Sequence, residues 1–266
     1  MMVRRFGAGP EIVWIHGLGE QSQSIDALAA HPALAGFSHT LVDLPGYGRS
    51  PWPEHPDDLE QLAARLATWI GDRRPVVIGH SMGGVLATLI AERVAVRAVV
   101  EIDANLSRGD CTFSAKVAAY TLDGFVAYGL SAMRATVYED GRTNLPLRGY
   151  HAAMTLASPR VFHRHALDLV AMSEPETLVL RLAALRPPAL FVAGVPGGIC
   201  ERSRELLDHH GVRWVGVEPA GHWVHLDQPD RFAAEVAGFL GELPARGGRP
   251  ATRSAPSRRP PRRTTR

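Results

Sequence analysis

The chain has 266 residues, 45% of them hydrophobic, enough to bury a large core as one domain with room for an inserted subdomain. Its formal charge of +2 hides an uneven distribution: residues 244–266 hold eight arginines and no acid, which leaves 21 basic against 27 acidic residues, about −6, in the body. That body offers no basic face for nucleic acid, and no stretch reaches the roughly 20 apolar residues that a membrane helix requires.

Two cysteines, Cys111 and Cys200, stand far apart and in no metal-ligand spacing, so neither a disulfide framework nor a zinc site is expected. No metal and no other cofactor is called for. The first residues carry charge without an apolar run behind them, so no secretory leader is expected, and the cysteine usage suits a reducing cytoplasm. The tail over residues 244–266 is rich in Pro, Ser, Thr and Gly and lacks the apolar content to fold. Disorder is expected there, and the absence of aromatics to stack on bases favours a solubilising role over a nucleic-acid arm.

In chain order, the first ten residues are short of strand material. Glu11 to His16 is the first apolar run that fits a parallel strand buried on both faces. It leads into Gly17-Leu18-Gly19-Glu20, a flexible turn. A helix is predicted around Ser24 to Ala30, with Ser24 as its N-cap. Thr40 to Leu44 is the next strand, closed by Pro45-Gly46-Tyr47-Gly48. Helical spacing returns through Leu59, Leu62, Leu66, Trp69 and Ile70.

The stretch from Pro75 to Ala91 follows. A β-branched run turns sharply through Gly79-His80-Ser81-Met82-Gly83 and continues in helix formers. A strand, a tight turn and a helix with one serine at the apex is what a nucleophilic serine needs. The turn lifts Ser81 Oγ clear of the sheet and into the field of the helix N-terminus. Gly79 and Gly83 flank it because a side chain at either place would collide with the neighbouring strand or helix.

Val96 to Asp103 is the next strand, and from Leu106 to Arg186 strand signals stop. That block reads as helical, broken near Gly141 to Pro146 and at Pro159. Strands resume at Ala189 to Gly194 and Val212 to Val217, and an amphipathic helix over Asp230 to Leu243 closes the body. Alternating strands and helices predict a mostly parallel α/β sheet. The helical block, residues 106–186, is expected to cap its carboxyl edge, with residues 1–105 and 187–243 as the core.

The order and spacing of His16-Gly17-Leu18-Gly19, Asp43 to Ser50, Gly79 to Gly84 and Gly221 to Pro229 resemble the α/β-hydrolase superfamily. The resemblance covers nearly the whole body and implies an α/β-hydrolase fold with a serine nucleophile. Members usually open with a strand hairpin before the His-Gly strand. Only about ten residues precede it here, so a sheet of about six strands is expected.

A serine hydroxyl needs a neighbouring base. Of twelve histidines, His222 is favoured, because it sits in the loop after the last predicted strand, at the same sheet edge as Ser81. It also fills the slot of the superfamily's catalytic histidine. His225 reads as packing or capping, His80 as structural, and His16 as a support of the oxyanion loop. His209, His210, His151, His163 and His165 read as solvated helix positions.

The orienting carboxylate most often follows the strand after the cap in this superfamily. That place reads Gly194-Val-Pro-Gly-Gly-Ile-Cys200, with no acid, and Glu201 falls too late to reach. A second location in the superfamily, the end of the strand after the elbow helix, holds Asp103. Strand alternation puts Glu101 and Asp103 on one side, with Asp103 nearer the edge. Asp103 is taken as the acid, with Glu101 and Glu201 as alternatives and a Ser-His dyad if none serves.

The resemblance assigns the oxyanion donors to the backbone N–H groups of Leu18 and Met82, with Gly19 bending the loop toward substrate and Glu20 nearby. Trp223 is read as a wall of the substrate site. Tyr120, Phe125, Tyr128, Met133, Met154 and Phe162 supply the cap's core, a few of them facing the cleft. The expected function is hydrolysis of an ester or related small carboxyl derivative with an apolar part. A thioesterase, lactonase or carbon–carbon hydrolase stays open within that class. Outside it stands a non-catalytic small-molecule binding or biosynthetic accessory protein on the same fold.

Overall fold

The computed structural model describes residues 1–243; the expectation of a disordered tail over residues 244–266 lies outside the described residues. One sheet runs β1 (Met2–Gly7), β3 (Ser38–Asp43), β2 (Glu11–Ile15), β4 (Val76–His80), β5 (Ala98–Ile102), β6 (Ala189–Gly197) and β7 (Trp214–Gly221). All neighbours are parallel except β1, which pairs antiparallel with β3 from Met2 opposite Asp43 to Gly7 opposite Ser38.

Among the described residues the sheet therefore has seven strands where about six were expected. β1 is an edge strand, largely exposed, with Arg4 and Arg5 at its centre. A strand paired on one side only needs no apolar run, so its sequence gives little signal. The predicted helix around Ser24 also changes form. Ser22–Ile25 is a 3₁₀ turn and Asp26–Ala29 a single α turn, and Ser24 Oγ donates back to the Gln21 carbonyl rather than capping a helix.

The central strands β4 and β5 are buried at every residue, which is why Val76–Ile78 and Ala98–Val100 read as apolar runs. Apolar clusters cover both faces: Val13, Val77, Val99 and Phe191 on one, Trp14, Ile78, Val100 and Val192 on the other. Helix Leu59–Ile70 buries Leu59, Leu62, Ala63, Leu66, Ala67 and Ile70 at three- and four-residue spacing. It starts on a capping box, with the Gln61 N–H donating to Asp58 at 2.7 Å and the Asp58 N–H to Gln61 at 2.9 Å.

Between β5 and β6 lies the helical stretch expected from the sequence. Its helices include Thr112–Ala118, Leu130–Asp140, Leu145–Met154, Pro159–Ser173 and Leu178–Ala183. Pro159 stands in the first turn of its helix, where its missing N–H costs nothing. Chain order reverses between β2 and β4, which are neighbours in the sheet. The crevice at such a reversal, outside the strands' carboxyl ends, is where open α/β sheets bind ligands.

Candidate active site

Ser81 stands directly after β4 with φ of 52° and ψ of −121°, and helix Met82–Ala91 starts at the next residue. A non-glycine residue there costs on the order of 1–3 kcal/mol and persists only where its surroundings over-determine it. Here they do. The Ser81 N–H donates to the Ile102 carbonyl of β5 at 2.8 Å. A Cβ on Gly79 would lie 1.9 Å from the Gly83 carbonyl oxygen, and one on Gly83 would lie 2.2 Å from that of Ile15. The close packing expected of both glycines is present.

Asp103 lies one residue beyond β5, itself at φ of 47°. Its Oδ2 accepts a 2.7 Å hydrogen bond from His222 Nδ1. Its Oδ1 accepts from the backbone N–H groups of Gly194 and Ile199, each at 3.1 Å. The segment from Gly194 to Cys200, which carries no acid, thus supplies donors that hold the acid projecting from the neighbouring strand. A Cβ on Gly198 would lie 2.2 Å from Asp103 Oδ1, so only glycine lets the segment wrap so closely.

The alternative carboxylates are elsewhere. Glu101 is buried under the helix after Ser81, accepts from Thr88 Oγ1 at 2.6 Å, and burial raises its pKa to about 8. Glu201 is exposed at the start of helix Glu201–His209.

Ser81 and His222 line one cleft with Leu18, Glu20 and Trp223. The remaining wall is Asn105, Asp110, Thr112, Phe113, Ser114, Tyr150 and Leu169. Ser81 Oγ donates to Asn105 Oδ1 at 3.5 Å, a bond long enough to be exchanged at little cost. Asn105 is held in turn by the Asp110 carbonyl at 3.1 Å.

The loop after β2 abuts the serine, since a Cβ on Gly17 would lie 3.2 Å from Ser81 Cβ. His16 supports that loop as expected: Nδ1–H donates to the Gly17 carbonyl at 2.8 Å, and Nε2 accepts the Leu44 N–H at 3.1 Å. Burial lowers the pKa of His16, consistent with the neutral ring that this pattern requires.

Several expectations are corrected. None of Tyr120, Phe125, Tyr128, Met133, Met154 and Phe162 lines the cleft. Phe125, Met154 and Phe162 are buried in the core, and Tyr120 and Tyr128 are exposed. Gly19 packs against Phe162 and the Tyr150 hydroxyl, and Trp223 lies in the cleft wall beside His222.

His163 and His165 are buried rather than solvated. His163 Nε2 donates to the Tyr120 carbonyl at 2.8 Å. His165 Nδ1 accepts from Tyr47 at 2.9 Å and Nε2 donates to the Asp57 carbonyl at 3.2 Å, and burial lowers its pKa to about 4. Both tie the inserted helices to neighbouring backbone, which helical spacing cannot reveal. Asn105, Thr112, Phe113, Ser114 and Tyr150 escaped the sequence reading as wall residues because they come from a loop and two separate helices and share no periodic signal.

The chain is 39% identical over 89 residues to the pimeloyl-[acyl-carrier protein] methyl ester esterase of Vibrio atlanticus, a match that covers 32% of each chain. It thus spans about a third of the length of that curated relative. Esterase YbfF of Escherichia coli is 25% identical over 248 residues, covering 87% of this chain and 93% of the relative. The enol-lactonase structure from Burkholderia xenovorans LB400 superposes with a TM-score of 0.75 at 20% identity, covering 91% and 96% of the two chains. Residues 12–235 match the model of the Alpha/beta hydrolase family, and the chain belongs to that family.

Proposed function

We propose that this protein is a serine hydrolase that cleaves an ester, or a related small carboxyl derivative, through an acyl-enzyme. The observation that carries this reading is the 2.7 Å Asp103–His222 hydrogen bond in the cleft that Ser81 lines. A carboxylate bound to Nδ1 fixes the tautomer that leaves Nε2 free to take a proton. Curated relatives named as esterases support the reaction class.

In this mechanism Ser81 turns from Asn105 toward His222, which takes the hydroxyl proton as Oγ attacks the carbonyl carbon. Asp103 stabilises the imidazolium that results. The backbone N–H groups of Leu18 and Met82 receive the charge that develops on the carbonyl oxygen, and each such donor is worth about 10²- to 10³-fold in rate. His222 then protonates the leaving alcohol. Water attacks the acyl-enzyme with His222 again as base, which returns Ser81 free.

Leu18, Phe113, Leu169 and Trp223 give the cleft apolar wall for the substrate's carbon skeleton. The inserted helices act as the cap, with residues 1–105 and 187–243 as the core. The test is turnover of short-chain p-nitrophenyl esters by wild type and Ser81→Ala. Turnover by wild type and none by the variant is expected. Equal turnover by both removes Ser81 from the mechanism. A wild-type protein that binds such esters without cleaving them favours the accessory-protein alternative.

A further inference from the structure

Behind His222 lies a second polar cluster that the mechanism above does not use. Glu20 is 3% exposed and His80 1% exposed. The Glu20 carboxylate receives the Gly17 N–H at 2.8 Å, Trp223 Nε1–H at 2.5 Å and His80 Nδ1 at 3.0 Å. His80 Nε2 lies 2.9 Å from the backbone carbonyl of His222. Four contacts therefore join the loop after β2, the end of β4 and the loop that carries His222.

Counting donors and acceptors settles the protons. Glu20 faces three donors and no acceptor, so it carries no proton. His80 faces a carboxylate on one ring nitrogen and a carbonyl on the other, so both nitrogens must donate. We propose that Glu20 and His80 form a buried carboxylate–imidazolium pair that positions His222 and the Leu18 loop and neutralises a carboxylate beside the oxyanion donors.

The neutralisation matters. An unpaired carboxylate in this low-dielectric wall would oppose the negative charge that develops on the carbonyl oxygen. The surroundings fit the pair. The Glu20 charge raises the pKa of His80 against its burial, and His80 lowers that of Glu20. The other groups facing the pair are His222, Asp103, His16, His225 and, from the inserted helices, the Tyr150 hydroxyl, which burial and the Glu20 charge keep protonated. His225, with ring centroid 4.8 Å from that of His80, is driven to about 3 by burial and by His80, and so stays neutral. The positioning role rests on the serine-hydrolase reading; the charge state of the pair does not.

The first test is ¹⁵N NMR of the histidine rings in the full-length wild-type protein at pH 7.5, with the His80 signals identified by their loss in His80→Gln. Two protonated ring nitrogens on His80 are expected, and a neutral His80 ring overturns the pair. The second test is the pH dependence of Ser81 labelling by a fluorophosphonate. His80→Gln leaves Glu20 uncompensated, which holds the proton on His222 more tightly. The acid limb of the labelling rate should then move up by about one pH unit or more, since a buried charge several Å away acts through an effective dielectric constant of about 20. The double variant Glu20→Gln/His80→Gln removes the charge and should return the limb to its wild-type position. A limb unmoved in His80→Gln, or still displaced in the double variant, overturns the positioning role. Absence of wild-type labelling at Ser81 defeats the hydrolase reading and the positioning role together, while the ring signals still decide the pair.

Discussion

Asp103 is the residue on which sequence and structure had most to disagree. The sequence offered an empty place after β6 and an aspartate after β5, and the choice rested on strand alternation and sheet-edge position. The segment without an acid donates two backbone N–H groups to Asp103 Oδ1 and leaves Oδ2 for His222. Asp103→Asn keeps the volume, but with its amide oxygen on the two backbone N–H groups it turns an N–H₂ toward His222 Nδ1 and selects the wrong tautomer. Turnover should fall by roughly 10⁴-fold while the fold survives. Steady-state kinetics on the purified variant checks this, and a rate within tenfold of wild type moves the acid elsewhere.

What the residue scale hid was the reach of individual polar groups. His80 read as structural, but the length of the side chains that meet it could not be read from spacing. Glu20 comes from 60 positions earlier in the chain and Trp223 from far later. His163 and His165 show the same limit. A histidine on a helix looks solvated until the backbone that its ring nitrogens meet is known.

At the scale of elements, the buried parallel strands were legible because a strand covered on both faces is mostly apolar, as β4 is from Val76 to Ile78. β1 was not, because edge pairing places no such demand on its side chains. The wall of the cleft was illegible for a related reason: Thr112, Phe113 and Ser114 are consecutive residues at the start of a short helix, without a periodic signature.

The same scale gives a sharp prediction at Gly198. Adding a methyl group there intrudes on Asp103 Oδ1 and on the Gly194 carbonyl, at 2.2 and 2.5 Å. Gly198→Ala should displace the acid and cost on the order of 10²-fold in turnover, the loss that a misplacement near 1 Å produces. By contrast Arg181→Ala, which removes a half-exposed pair to Glu60 and Glu92, should cost at most about 1 kcal/mol of stability and leave turnover unchanged. Equal turnover in Gly198→Ala and wild type contradicts the close wrapping of that segment.

For the whole molecule, buried titratable groups fix the pH at which it is most stable. Burial lowers His165 to about 4 and His225 to about 3 from a usual 6.5. Below pH 6.5 the unfolded chain binds protons that the folded one refuses, so stability falls as pH drops, up to about tenfold in the folding constant per unit and group. Glu101 acts the other way. It keeps its proton to about pH 8 when folded but loses it near 4.5 when unfolded, so stability falls as pH rises across that window. His80, raised, loses its contribution as pH climbs above 6.5. Two histidines outweigh one glutamate below pH 6.5, and only losses remain above it. The urea midpoint should therefore peak near pH 6.5, and a midpoint still rising between pH 6.5 and 8 contradicts this balance.

The claim on which the rest depends is that Ser81 is a reactive nucleophile. The most direct measurement is mass-spectrometric mapping of the adduct formed when the full-length protein meets a fluorophosphonate at neutral pH. One adduct per chain is expected, on the peptide that contains Ser81, absent in Ser81→Ala and formed far more slowly in Asp103→Asn. A folded protein that takes no adduct, or takes it at a different serine, contradicts the claim.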